Sequence, residues 1–478
     1  MAMRIRRKLR LKSTSAPHYT TWREYQDWLK QKQKPASGRR WLLASIAAVV
    51  LLTGAVLTLG NLSPSADSRE ALAPPAGRIL ADDLLISKND VHILLEHASG
   101  SNLLTKQIDL PFKSQPIHIE TSLDPDLQSR LIESMDRKHS RFIGIVVMQA
   151  ETGRIQALAG FNKVDPDHNP CLLNTFPAAS IFKIVTAAAA VDQCGFGANT
   201  RVRFNGYKHT LYKRQLKERT NRYTNTVSFE DSFAQSVNPV FGKLGALYLD
   251  RAELQKYAAA FGFNQPVDFE LPVEPSHIRI EDDAYQRAEI ASGFNNDTKI
   301  SPLHAAMMAS AVLNKGRMIL PTIVDRVTDD NGRLLYDVQP QWRGRAMSSK
   351  ASKVLARLME TTIRSGTGRK AFRSRRRSKV LEKLDIGCKT GSIDNLSHEV
   401  RFDWFVGFAK ERSGSEGLIV AVLVAHEQYI GIRAAQYAKM AMTHYFENKF
   451  AQRTTGRRSS SQCSIIKDGE RSKKRDES

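Results

Sequence analysis

Hydrophobic and polar positions along this chain fall into blocks with different periods. The first block is "WLLASIAAVVLLTGAVLTLG", residues 41–60, which holds no charged residue. A helix rises 1.5 Å per residue, so this run spans about 30 Å, the thickness of a bilayer's hydrocarbon core. Residues 61–90, with "SPSADS" and "APPAG", hold neither period and read as a linker. "PIHIETSLDPDLQSRLIESMDRK" reads as a strand running into a helix, with Asp124 and Pro125 at the helix start. In "FIGIVVMQAETGRIQALAGF" two apolar, β-rich runs flank "ETG", which predicts a hairpin. "FPAASIFKIVTAAAA", residues 176–190, is small or apolar almost throughout and predicts a core helix. Helical patterns recur at 239–261, 301–315 and 350–364, with a polar, aromatic and basic stretch at 196–235 before them. "LDIGCKTGS", "DWFVGFAK" and "GLIVAVLVAHE" then predict three sheet strands, followed by a helix to about residue 449. Helices between two groups of strands argue an α+β fold, one antiparallel sheet packed with helices, preceded by one transmembrane helix.

Charge sharpens the organisation. The net charge is +22, yet residues 1–40 carry twelve Lys/Arg against two acids, and residues 450–478 carry eight against four. The ends therefore hold 14 of the 22 charges, and +8 is left for everything between. A nucleic-acid reader needs its basic stripe on the folded body, so nucleic acid is not the expected partner. Arg39 and Arg40 abut the apolar run, which places the N-terminus in the cytoplasm and the rest outside it. A cleaved signal is disfavoured, because its apolar region is usually shorter and its leading segment is rarely forty residues long. The tail 450–478 has little apolar surface and is expected to be disordered. Cys171, Cys194, Cys388 and Cys463 lack metal-ligand spacing; Cys171 and Cys194 bracket the alanine-rich helix and either pair or stay free.

That helix carries Ser180 and Lys183. Residues three apart are neighbours on a helix, so the lysine can lie against the hydroxyl. Pro177 puts Ser180 near the helix start, where main-chain N–H groups favour an oxyanion. An apolar setting lowers a lysine's pKa, and its neutral amine can then activate a serine as nucleophile. Taken alone, S-x-x-K is commonplace. "SVNPV" adds Ser236 and Asn238, and "CKTGS" adds Lys389, Thr390, Gly391 and Ser392.

S-x-x-K, S-x-N and K-T-G in that order resemble the penicillin-binding transpeptidase family. The resemblance runs from about residue 116 to 449 and includes "TSLDPDLQ", "ISPLHAAMMASAVLNKGRM" and "SGTGRKAF". It implies a membrane-anchored D,D-transpeptidase that crosslinks peptidoglycan stem peptides and is acylated by β-lactam antibiotics. It assigns Ser180 as nucleophile, Lys183 as base, Ser236 as proton relay and Asn238 as a holder of Lys183 and the substrate amide. It assigns Lys389 and Thr390 to the substrate carboxylate, Gly391 to the groove wall, and the N–H groups of Ser180 and Ser392 to the oxyanion hole. The domains implied are a basic cytoplasmic segment (1–40), an anchor in the bacterial plasma membrane (41–60), a short pedestal (61–115), the catalytic domain (116–449) and the tail. Residues 61–115 are too few for a glycan-polymerising domain, so a monofunctional, class-B-like enzyme is implied, with a separate membrane glycan polymerase as partner. No nucleotide, metal or other cofactor is implied. A D,D-carboxypeptidase shares every motif and differs in its acceptor. A β-lactamase fits the anchor and length poorly, and a sensor or scaffold would not need the intact trio. Asp403 is expected to be structural, and His426 and Glu427 a loop pair.

Overall fold

The uninterrupted apolar run of residues 417–426 requires a strand buried on both faces, and it lies at the centre of the fold. The computed structural model describes residues 86–98 and 105–473, and the run expected to span a membrane lies outside them. Among the described residues no helix is long and apolar enough to cross a membrane. Five strands form the main antiparallel sheet: β3 (Ser140–Gln149), β4 (Ile155–Asn162), β7 (Leu384–Asp394), β8 (Arg401–Glu411) and β9 (Gly417–His426), in the order β7-β8-β9-β3-β4. Side chains alternate across a strand. Accordingly Leu418, Val420, Val422 and Val424 enter one apolar cluster, and Ile419, Ala421, Leu423 and Ala425 enter the other. Helices cover both faces, which makes the sheet the middle layer of a three-layer domain.

One cover consists of α2 (Pro125–Glu133) and α9 (Ala434–Lys473), whose Tyr437, Ala441 and Tyr445 are buried against the sheet. Asp124 caps α2 by accepting from Leu127 N at 3.0 Å, with Pro125 next to it, as its sequence predicts. The other cover holds α3 (Lys183–Cys194), α4 (Phe229–Ala234), α5 (Asn238–Lys243), α6 (Ala284–Ser292), α7 (Pro302–Leu313) and α8 (Ser349–Arg364). In α3 every residue from Lys183 to Val191 is buried, so its alanines serve close helix packing rather than an amphipathic face.

Several elements depart from the sequence expectation. The 239–261 pattern is broken: α5 runs into a π-turn (Leu244–Tyr248), Leu249 is extended, and Asp250 caps a new helix, Arg251–Ala260. The Asp250–Glu253 capping box starts that helix afresh, which periodicity alone does not register. A second, four-stranded antiparallel sheet joins β1 (Gln107–Phe112), β2 (Gln115–Thr121), β5 (Val324–Asp329) and β6 (Leu334–Asp337) in the order β1-β2-β5-β6. The domain boundary expected at residue 116 thus falls inside a paired hairpin, Gln107 opposite Glu120. Ahead of it α1 (Lys88–Ala98) buries Val91 and Leu95 in the core, so part of the expected pedestal belongs to the same unit. At the other end α9 continues through the expected tail to Lys473, with no proline between 434 and 473 to stop it. Cys171, Cys194 and Cys388 are free; Cys171 Sγ donates to Ala159 O at 3.4 Å instead of bonding Cys194.

Candidate active site

Main-chain geometry sets the position of Ser180 before any side chain acts. Phe176–Pro177 pairs with Lys299–Ile300, and Trp404 on β8 donates its Nε1–H to Pro177 O at 2.9 Å. The chain then enters a 3-10 turn, Ala179–Phe182, that leads directly into α3. Ala179 sits at φ 48°, a left-handed conformation that costs a non-glycine residue about 1–2 kcal/mol. Gly293 backs this turn, and a methyl there would lie 1.8 Å from Ala179 O. Ser236 is also left-handed, at φ 56°, where the chain leaves α4 and reverses into α5. Such strain is concentrated where surrounding structure over-determines the backbone.

Five side chains meet at this point. Lys183 Nζ lies 2.8 Å from Ser180 Oγ and 2.8 Å from Asn238 Oδ1, and it also bonds Ser292 O. Ser236 Oγ lies 3.0 Å from Ser180 Oγ, and Lys389 Nζ lies 3.0 Å from Ser236 Oγ. One direction of donation satisfies the whole chain: Lys389 to Ser236, Ser236 to Ser180, Ser180 to the lone pair of Lys183. Two carbonyl acceptors, Asn238 Oδ1 and Ser292 O, then take the two N–H bonds of a neutral Lys183 amine. Asn238 is held in turn, its Nδ2 donating to His209 O at 3.1 Å and its main-chain N donating to Lys208 O at 2.7 Å.

Burial decides the charge states. Both lysines are fully buried. Burial pushes the Lys183 pKa well below the usual lysine value, and the charge of Lys389 adds to this. Burial brings Lys389 down to about 7, with Cys388 opposing slightly. Two buried ammonium groups this close are mutually costly, and of the two it is Lys183 whose neutral form burial and its charged neighbour favour. His209, at the rim, is pushed below its ordinary range by burial and by Lys208, Lys183 and Lys389. Among the described residues, Ser180, Lys183, Ser236 and Lys389 make no hydrogen bond to a carboxylate.

Lys389, Thr390, Gly391 and Ser392 lie on β7, an edge strand of the main sheet. A methyl at Gly391 would come within 3.3 Å of Ser180 N and of Ala179 Cβ, so a side chain here would press the Ser180 turn by a few tenths of an ångström. Lys389 Nζ also bonds Thr390 O at 2.6 Å. Ser392 is exposed, and its hydroxyl donates to Asp403 at 3.2 Å. Asp403 also accepts from Ala434 N at 3.1 Å, tying β7 to the first residue of α9. His426 is buried 3.8 Å from Asp403, and Glu427 pairs with Arg141 and Lys163 outside the site.

The structure therefore brings all eight sequence-predicted residues to one place: Ser180, Lys183, Ser236, Asn238 and Lys389 through hydrogen bonds, and Thr390, Gly391 and Ser392 through the stretch of β7 that passes Ser180 at Gly391. The sequence reading missed Thr367, whose Oγ1 lies 2.5 Å from Thr390 Oγ1 and whose N–H bonds Ala234 O. It stands in "SGTGRKAF", and a hydroxyl between two glycines beside a helix end was the available signal. Ser292 O had no signal, because a main-chain carbonyl carries no sequence mark. Among the described residues no group of three or more His, Cys, Asp or Glu is placed to hold a metal ion.

A central antiparallel sheet covered by helices on both faces is an architecture this chain shares with solved D,D-transpeptidase domains. One solved example, the D,D-transpeptidase domain of a peptidoglycan glycosyltransferase from Eggerthella lenta, superimposes with TM-score 0.57 at 21% identity, covering 69% of this chain and 83% of that one. Penicillin-binding protein A from M. tuberculosis, in its penicillin G acyl-enzyme complex, gives 0.51 at 20% identity, covering 68% and 79%. Residues 143–443 match the penicillin binding protein transpeptidase domain, and the chain belongs to that family. Stage V sporulation protein D of Bacillus subtilis is 23% identical over 366 residues, 71% of this chain and 55% of the relative. Penicillin-binding protein 4 of Bacillus subtilis is 26% identical over 328 residues, 66% of this chain and 47% of the relative. The chain thus spans about half the length of these two relatives.

Proposed function

We propose that the protein is a peptidoglycan D,D-transpeptidase acting through a Ser180 acyl-enzyme. The observation that carries this reading is the hydrogen-bonded contact of Lys389 with Ser236, Ser236 with Ser180, and Ser180 with the buried Lys183 Nζ. In the first half-reaction Ser180 Oγ attacks the carbonyl of a D-alanyl-D-alanine bond, and its proton passes to Lys183. The carbon–nitrogen bond breaks, the leaving D-alanine amine takes a proton through Ser236, and an ester to Ser180 remains. An amine from a neighbouring stem peptide then attacks the ester, forming the crosslink and restoring the serine. The Ser180 and Ser392 N–H groups bind the oxyanion, each donor worth about 3 kcal/mol. Lys389, with Thr390, receives the substrate's terminal carboxylate, and the peptide lies along β7 as an added strand.

The same reading makes residues 41–60 a single membrane anchor, with the catalytic domain outside the cytoplasm of a bacterial cell and a membrane glycan polymerase as working partner. What supports the anchor is the uncharged run behind Arg39 and Arg40. Reporter fusions after residues 40 and 90 should show opposite sidedness; the same sidedness for both sinks the anchor.

β-Lactam acylation tests the chemistry directly. A fluorescent penicillin should label the protein, and mass spectrometry should place the adduct on the 176–190 peptide. Ser180→Ala should abolish labelling, and Lys183→Ala should slow it about 10²–10⁴-fold, the ordinary worth of a general base. Because none of these groups hydrogen-bonds a carboxylate among the described residues, the adduct should persist. Turnover within seconds would point to a β-lactamase, and labelling that survives Ser180→Ala would overturn the assignment of the nucleophile.

A further inference from the structure

The basic ends of the chain account for 14 of its 22 net charges, and most of the remaining eight sit in one place. Residues 201–224 contain Arg201, Arg203, Lys208, Lys213, Arg214, Lys217, Arg219 and Arg222 against the single acid Glu218, a net of +7. All eight are exposed. Among the described residues none of them pairs with a carboxylate, and Glu218 is itself taken by Lys243 at 3.3 Å. A structural lobe of this size ordinarily neutralises its charges, because like charges at close range destabilise the fold that carries them.

The lobe is joined to the catalytic groove. Lys208 O and His209 O hold Asn238, Lys208 Nζ bonds Gln235 at 3.3 Å beside Ser236, and Tyr285 donates to Leu211 O at 2.8 Å to pin the segment against α6. The field of exposed charges falls off within about 10 Å at 0.1 M salt, so the lobe acts on what passes close to the mouth of the groove. Between the cations stand two exposed aromatic rings, Tyr207 and Tyr223. Two tyrosines are too few for an interfacial helix face, which buries a continuous apolar stripe.

We infer that residues 201–224 are a docking surface for the acidic part of the peptidoglycan stem peptide, engaging its side carboxylates while its end reaches Ser180. This rests on the transpeptidase reading above and specifies its substrate: strands with free carboxylates are preferred over strands whose carboxylates are amidated. Surface charges at such a mouth raise association of an oppositely charged substrate by roughly 10–10³-fold at low ionic strength.

The test uses full-length protein with Ser180→Ala, so that bound substrate is not turned over, and fluorescently tagged uncrosslinked disaccharide–peptide oligomers. Free-carboxylate oligomers should bind at least about tenfold more tightly than amidated ones at low salt, and the gap should close at high salt. Lys213→Glu, Lys217→Glu and Arg219→Glu together should erase the difference. With Ser180 intact, the same triple variant should be labelled by penicillin at the parental rate in high salt, where the lobe's field on penicillin's own carboxylate is screened. If the reversed set labels slowly, the neutral set Lys213→Gln, Lys217→Gln and Arg219→Gln decides the matter by the same comparison. Equal binding of the two oligomers to the parent overturns the inference, as does tighter lobe-dependent binding of anionic vesicles or of a single-stranded oligonucleotide. Failure of the parent to be labelled by penicillin would instead sink the transpeptidase reading itself.

Discussion

Gly293→Ala isolates how much of this site depends on one backbone contact. Gly293 ends α6 at φ 64° and ψ 29°, and an added methyl would lie 1.8 Å from Ala179 O and 2.9 Å from Ser180 N. Real contacts of this kind are not seen below 3.0 Å, so the Ala179 carbonyl has to move by more than 1 Å. It belongs to the turn that aims Ser180, and the neighbouring Ser292 O holds Lys183. The displacement therefore separates nucleophile and base, and a misplacement of about 1 Å costs about 100-fold in rate, or roughly 2.7 kcal/mol. The left-handed conformation adds about 1 kcal/mol against stability. Gly332 supplies the control: it sits at φ 75° with nothing within 4 Å of an added methyl. Gly332→Ala should thus show the backbone cost alone. The assay is the second-order rate of penicillin labelling, paired with urea unfolding of each variant. We expect Gly293→Ala to label at least about 100-fold more slowly and Gly332→Ala to label normally with a modest loss of stability. Parental labelling by Gly293→Ala, or equal slowing in both variants, would refute the argument that this contact aims the serine.

Three further outcomes follow from the charge arrangement. The Lys389 pKa of about 7 means that its ammonium is present below that pH and lost above it, so kcat/KM for a carboxylate-bearing substrate should fall as pH rises through about 7. An ester-capped analogue should lack that descending limb, and Lys389→Ala should penalise it far less than the free acid. Comparable losses on both would remove the carboxylate role. Asp403→Asn should loosen the tie between Ser392 and the start of α9 and cost about 1 kcal/mol in urea unfolding, the usual worth of a helix cap; an unchanged midpoint would make the residue dispensable. Thr367→Val should leave penicillin labelling of Ser180 detectable while slowing it, since it removes the hydroxyl partner of Thr390; an unaltered rate would exclude Thr367 from the groove's working parts.

Local pattern by itself determined most of the secondary structure here. The β3–β4 hairpin, the Asp124–Pro125 helix start, the last three strands and the core helix of residues 183–194 all follow from short-range periodicity and punctuation, which need no knowledge of partners. The pairing of Ser180 with Lys183 was equally local, because one helical turn joins them. The motif order then supplied Ser236, Asn238 and the β7 residues, but as a resemblance, since nothing in the chain itself says that residues so far apart meet. Tertiary structure decided that meeting, bringing Lys389 to Ser236 across 153 positions and Ser236 to Ser180 across 56. It also decided the break at Leu249, the second sheet built from β1, β2, β5 and β6, the holding of Lys183 by Ser292 O, and the collision course between Gly293 and Ala179. These depend on main-chain groups and on packing between distant segments, which leave no periodic trace in the order of side chains. The depressed charge of Lys183 belongs with them: an apolar helix hints at it, but only enclosure by α5, α6 and β7 removes the water that would keep the amine protonated.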